Sequence, residues 1–131
     1  MATNLEVVLA YLKAIEDGAV GDALEPFLDK EVVQREYPNR LVANGATRLL
    51  TAVKEASVRG QKVVSSQRYL VRSSLVDGDR VALEVDWAGT LKVPVGIIPA
   101  GGELHASFGV FFTLKDGKIL EQANYDCFEP F

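Results

Sequence analysis

Helical periodicity in this chain stops at Gly60, and the remainder reads as four long strands folded back at two tight turns. Residues 62–76 and 80–95 flank Asp77-Gly78-Asp79, and residues 103–114 and 118–128 flank Asp116-Gly117. An Asp-Gly pair between strand-like runs is a strong hairpin signal, because a two-residue hairpin turn needs the positive φ that Gly and Asp tolerate. Between the hairpins, Pro94-Val95-Gly96-Ile97-Ile98-Pro99-Ala100-Gly101-Gly102 suits a bend or flap rather than a central strand. Helices confined to the first part of a chain and antiparallel strands to the rest define an α+β layout, in which helices cover one face of the sheet.

The part before Gly60 divides into three helices and one strand. Thr3-Asn4-Leu5-Glu6 has the spacing of a capping box, and Leu5, Val8, Leu9, Leu12 and Ile15 continue at helical intervals up to Gly18. A shorter helix over 20–28 carries Ala23, Leu24 and Phe27 on one face. A strand over 31–37 closes at Pro38-Asn39. Asn44-Gly45 precedes a third helix whose buried stripe is Leu49, Leu50, Val53 and Ala56.

Composition narrows the function classes. At 131 residues, 48% hydrophobic and 24% charged, the chain is expected to form a single domain, 1–131, with an ordinary core. A net charge of −4 with scattered Lys and Arg argues against nucleic acid, which calls for a basic face. No apolar run approaches the roughly 18 residues of a membrane span, and the N-terminus lacks the basic and apolar regions of a signal peptide, so the expectation is a cytoplasmic protein with no membrane partner. A lone Cys127 and a lone His105 leave no disulfide and no clustered metal ligands, so neither metal nor cofactor is expected.

The final strand is the clearest pointer to function. Side chains alternate across a strand, so Gln122, Asn124 and Asp126 share one face and Ala123, Tyr125 and Cys127 the other. Amides and a carboxylate aimed into a sheet interior need partners or water, and a polar cavity meets that need. In the preceding strand Leu104, Ala106, Phe108, Val110 and Phe112 alternate with Glu103, His105, Ser107, Gly109 and Phe111. If the mixed stripe lines the cavity, the apolar stripe faces outward and wants a second copy. That predicts a homodimer through the outer sheet face.

The chain resembles the nuclear transport factor 2-like superfamily, and within it the SnoaL-like branch related to polyketide cyclases and ketosteroid isomerases. The residues that carry the resemblance are Tyr11-Leu12-Lys13-Ala14-Ile15 with Gly18, Phe27, Gly45, Gly109-Val110-Phe111 and Asp116-Gly117-Lys118-Ile119 leading to Asn124-Tyr125-Asp126. The resemblance implies a cone-shaped pocket between helices and sheet, a hydrophobic small-molecule ligand and frequent homodimers. It does not transfer the well-defined catalytic sets. Of the isomerase positions only the oxyanion-donating tyrosine is matched, by Tyr11; the general base falls on Arg35 and the second donor near Gly109. The Asp-Arg-Asp set of the limonene epoxide hydrolases falls on Val85, Trp87 and Asn124. The aspartate and histidine of the cyclases have neighbourhood counterparts in Asp126 and His105.

The expected cavity face thus comprises Tyr11, Arg35, Val85, Trp87, His105, Ser107, Asn124 and Asp126. Asp126, His105 and Tyr11 are the catalytic candidates, as acid or base, proton partner and hydrogen-bond donor to a carbonyl. Arg35, Trp87, Asn124, Ser107 and Val85 are the substrate-binding candidates. The same residues allow a non-catalytic reading: an Asp126–Arg35 ion pair holding a polar floor, a rim histidine, and Trp87 and Tyr11 as core. An open Asp126 favours an enzyme; a closed pair favours a ligand-binding or protein-association module.

Overall fold

A computed structural model describes residues 1–131. Helix α1, Asn4–Glu16, starts where the capping box predicts: Glu6 N donates to Thr3 Oγ1 (3.1 Å) and Thr3 N donates to Glu6 Oε1 (3.2 Å). It stops before Gly18, whose φ of +95° suits glycine alone. Val8, Tyr11 and Leu12 form its buried face. Thr3→Ala removes the cap and is expected to cost about 1 kcal/mol; urea denaturation reads this directly, and an unchanged midpoint would show that α1 is held by packing alone.

The second helix is a 3-10 segment, Gly21–Phe27, with Pro26 inside it. Strand β1, Leu28–Glu36, leads to a short edge strand β2, Ala46–Arg48, that the sequence pattern does not announce, and then to helix α2, Leu50–Gly60. Four long strands complete the chain: β3 (Val64–Asp77), β4 (Arg80–Leu91), β5 (Glu103–Lys115) and β6 (Lys118–Phe128). The six strands form one sheet in the order β2-β1-β6-β5-β4-β3; only the β1–β6 pair is parallel. At the β5–β6 turn Asp116 (φ +51°) and Gly117 (φ +76°) both take the left-handed conformation that a type I′ turn requires. The three helices cover one face of this curved sheet, giving the nuclear transport factor 2-like α+β fold. No helix is long and apolar enough to cross a membrane.

The core lies between helices and sheet, and its register corrects the sequence expectation. The inward stripe of β5 is the apolar one: Leu104, Ala106, Phe108, Val110 and Phe112 are all buried, while Glu103, His105, Ser107 and Phe111 are exposed. The cause is a single β-bulge. Next to the turn Lys115 pairs with Lys118 and Leu114 with Ile119, but the register then slips, so Phe108 pairs with Asp126, Val110 with Asn124 and Phe112 with Gln122. Counted from the turn without a bulge, Ser107 would oppose Asp126. One extra residue in β6 moves a whole stripe to the other face.

Strand β1 is corrected in the same way. Leu28 and Val32 are buried, and the alternation carries Gln34 and Glu36 inward, paired with Gln122 and Asn124 of β6. Arg35 pairs with Ala123 and faces the other way. Val32 and Val33 are equally apolar, so the sequence alone does not choose the phase.

Candidate functional site

Between the helices and the concave face of the sheet lies a cavity of about 520 Å³. Of the expected site residues, Tyr11, Trp87, Asn124 and Asp126 line it. Val85 faces the same side but is packed into the core. Three do not belong. His105 is exposed on the outer face, its Nε2 3.3 Å from Glu103 Oε1. Ser107 is exposed beside it, opposite Cys127. Arg35 borders a shallow polar hollow with Tyr37, Asn44 and Thr47. The Asp126–Arg35 pair therefore does not form. The bend over 94–102 stands apart from the cavity: Val95 and Ile98 pair with each other and pack on the core, and Gly96 (φ +55°) lies against Phe131.

The polar floor is a directional relay that sequence reasoning misses. Arg48 Nη1 donates to Gln34 Oε1 (3.1 Å), Gln34 Nε2 to Gln122 Oε1 (3.3 Å), Gln122 Nε2 to Asn124 Oδ1 (2.7 Å), and Asn124 Nδ2 to Asp126 Oδ1 (3.3 Å). A guanidinium can only donate, so it makes Gln34 accept and turns every following amide the same way. At the far end an ionised carboxylate can only accept. Arg48 is held in turn by Glu36, Nη1 to Oε1 at 2.9 Å, and Glu36 Oε2 also accepts from Asn39 Nδ2 (2.9 Å). Only the β6 half of this relay is visible as a stripe in the sequence; Gln34 and Arg48 join it through the parallel β1–β6 pairing and the unannounced β2.

Asp126 stands at the end of the relay, mostly buried. Burial pushes its carboxyl up to about 6; the Asn124 hydrogen bond opposes the shift and the charge on Glu36 adds to it. Tyr11, on α1, is 2% exposed, and its hydroxyl makes no hydrogen bond within the protein. No fully enclosed polar side-chain atom is left unpaired, so this oxygen opens onto the cavity that Tyr11 lines. Burial raises the phenol to about 12, so it stays a neutral donor. Tyr69 is also pushed up, chiefly by burial and further by Tyr11 and Asp126. Its hydroxyl donates to Gln67 Oε1 (3.1 Å), which also accepts from Trp87 Nε1 (3.0 Å). That bond fixes the indole, which lies across Gly89; a Cβ at Gly89 would come within 2.6 Å of it. Phe108 stacks on Trp87 at 5.5 Å and Phe128 meets both edge-on. The site is thus a carboxyl of near-neutral pKa and an unpaired phenol in an aromatic cavity. No group of three or more metal-ligating side chains forms in the chain.

Helices over one face of a curved sheet, with a partly polar cavity between, define the class: a nuclear transport factor 2-like cone. The sequence profile of the SnoaL-like domain matches residues 8–122, and the chain belongs to that family. No curated protein sequence matches it. Among solved structures, IdmH from Streptomyces antibioticus superposes with a TM-score of 0.79 at 17% identity, over 95% of this chain and 92% of that one. A SnoaL-like polyketide cyclase from Agrobacterium tumefaciens gives 0.72 at 21% identity, over 96% and 92%. A protein of ketosteroid isomerase-like fold from Catenulispora acidiphila, in complex with trimethylamine, gives 0.74 at 17% identity, over 94% and 86%. Identities this low establish a shared fold and no more.

Proposed function

We propose that the chain binds a hydrophobic, oxygenated small molecule in this cavity and carries out acid–base chemistry on it, of the isomerisation or cyclisation type. The observation that carries the reading is Asp126: its carboxyl faces the cavity, unpaired with Arg35, with a pKa of about 6. A carboxyl poised there exchanges protons efficiently near neutral pH. Tyr11 supplies a neutral hydroxyl with no other partner, suited to a carbonyl oxygen on which charge develops. Asn124 orients Asp126, and Trp87 presents an aromatic wall. Membership of a family that includes polyketide cyclases supports the same reaction class by analogy.

Proton chemistry of this kind exchanges hydrogen α to a carbonyl. Incubation with a panel of polycyclic ketones in deuterated buffer, followed by NMR, is expected to show α-exchange above buffer that falls about a hundredfold or more in Asp126→Asn and less steeply in Tyr11→Phe. Binding without exchange across the panel would favour the second reading, a non-catalytic ligand-binding module. One observation speaks for that alternative: His105 lies on the far face, so Asp126 has no imidazole beside it to share a proton.

The quaternary proposal is a homodimer through the outer sheet face, on different residues from the stripe that suggested it. Leu75, Ala82, Phe111 and Ala123 form a row across four strands, with Leu75 76% and Phe111 43% exposed. Tyr125 beside it stacks on Tyr37 at 4.5 Å. Light scattering is expected to give a dimer mass for the native chain and a monomer mass for Phe111→Glu. A native monomer would remove the proposal.

A further inference from the structure

We propose that the cavity selects hydrophobic ligands that carry a protonated amine and excludes anionic ones. This rests on the small-molecule pocket reading and adds the charge of what enters.

The wall contains three carboxylates, Glu16, Glu36 and Asp126, and no Lys, Arg or His. The basic groups around the polar floor are committed elsewhere. Arg48 is neutralised by Glu36 and donates into the relay. Lys54 on α2 is bonded to Asp22 (2.7 Å) and Glu25 (3.2 Å). Arg40 donates to the Phe131 carbonyl at 2.8 Å and lies over its ring. Arg35 and His105 are on the outer side of the sheet. Asp126 therefore has no counter-charge, and Glu16 feels only that of Lys13, which is itself bonded to Asp17 (2.9 Å).

Carboxylates alone would not define a ligand, but the Tyr11 hydroxyl is an independent sign of one. Its residue is 2% exposed, it opens onto the cavity and it has no partner in the protein. Leaving such a group unpaired is costly, so a ligand atom or a water completes it. A phenol oxygen accepts from an ammonium as readily as it donates to a carbonyl. The rings of Tyr69, Trp87, Phe108 and Phe128 border the same space, and aromatic faces attract cations. A carboxylate ligand would meet the reverse: desolvation, two like charges and no cation to pair with.

The test is calorimetric binding of three naphthalene probes of one shape to the full chain at about pH 7.5: 1-naphthylmethylamine (cationic), 1-naphthylmethanol (neutral) and 1-naphthoate (anionic). The expected order is amine, then alcohol about tenfold weaker, then naphthoate at least about tenfold weaker again. In Asp126→Asn the amine is expected to lose most of its advantage over the alcohol, while the alcohol changes little. Glu16→Gln should erode the advantage by a smaller factor. Naphthoate binding as tightly as the alcohol, or an amine with no advantage, would overturn the charge selection and leave the pocket reading standing. An amine advantage untouched by both substitutions would place its binding outside the cavity and overturn the proposal too. Failure of all three probes to bind would count against the pocket reading itself, and this inference would fall with it.

Discussion

Asp126→Asn is expected to make the protein more stable above about pH 6 while removing its proton-transfer group. The native carboxyl has a pKa of about 6 against an ordinary 3.8, so the folded state holds this proton more tightly than the unfolded state does. Stability contributed by such a group is fully present below about pH 4 and lost as pH rises through about 6. The full shift corresponds to about 3 kcal/mol. Water reaching part of the carboxyl trims the expected gain of the asparagine variant to about 1–2 kcal/mol at pH 8. The amide still offers an oxygen to Asn124 Nδ2, so the relay survives. Urea denaturation of both proteins at pH 8, 6 and 4 should show curves that separate at high pH and converge at low pH. A variant less stable than the parent at pH 8, or a gap independent of pH, would show that Asp126 is a structural anchor and not a group held at a cost for use.

Arg48→Met should produce the largest loss of stability among single substitutions at the site. Arg48 and Glu36 side chains are only 16% and 19% exposed, and their 2.9 Å bond neutralises both. Removing one partner leaves a partly buried carboxylate held by Asn39 alone, a change worth about 2–3 kcal/mol. Adding Glu36→Gln should recover a large part, because the orphaned charge is then gone. A second consequence is electrostatic. Without a donor-only residue at its start, the amide relay is free to reverse, and Asn124 can then present its oxygen to Asp126. That arrangement favours the protonated carboxyl, so in carbon-13 NMR titrations the Asp126 pKa should be higher in the double variant than in Glu36→Gln alone, both lacking the Glu36 charge that raises it in the native chain. A double variant as unstable as Arg48→Met, or one whose Asp126 titrates with that of Glu36→Gln, would refute the relay as the device that orients the site.

Much of the local architecture is legible in the residues themselves. The capping box at Thr3 and Glu6, the two Asp-Gly turns and the bounds of β6 all emerge from short-range chemistry, which acts within a few residues. The polar stripe Gln122-Asn124-Asp126 is legible for the same reason: alternation along one strand is a local property. Strand β2 escapes because three residues of ordinary composition, Ala46-Thr47-Arg48, become a strand only by pairing with β1. The face of Arg35 escapes because Val32 and Val33 are interchangeable on a hydrophobicity scale.

What the sequence determined by itself was therefore the fold class, the turns and the fact that β6 turns amides and a carboxylate toward an interior. What the tertiary structure decided was which residues meet them. One bulged residue in β6 brought Phe108 and Val110 to Asp126 and Asn124 and sent His105 and Ser107 to the outer face. The parallel pairing with β1 supplied Gln34 and Glu36 in place of Arg35. The reason is geometric: side chains on a strand repeat every two residues, so a one-residue slip costs little locally yet exchanges one face of the sheet for the other. Asp126 is visible in the sequence; its freedom from any cation is a consequence of register.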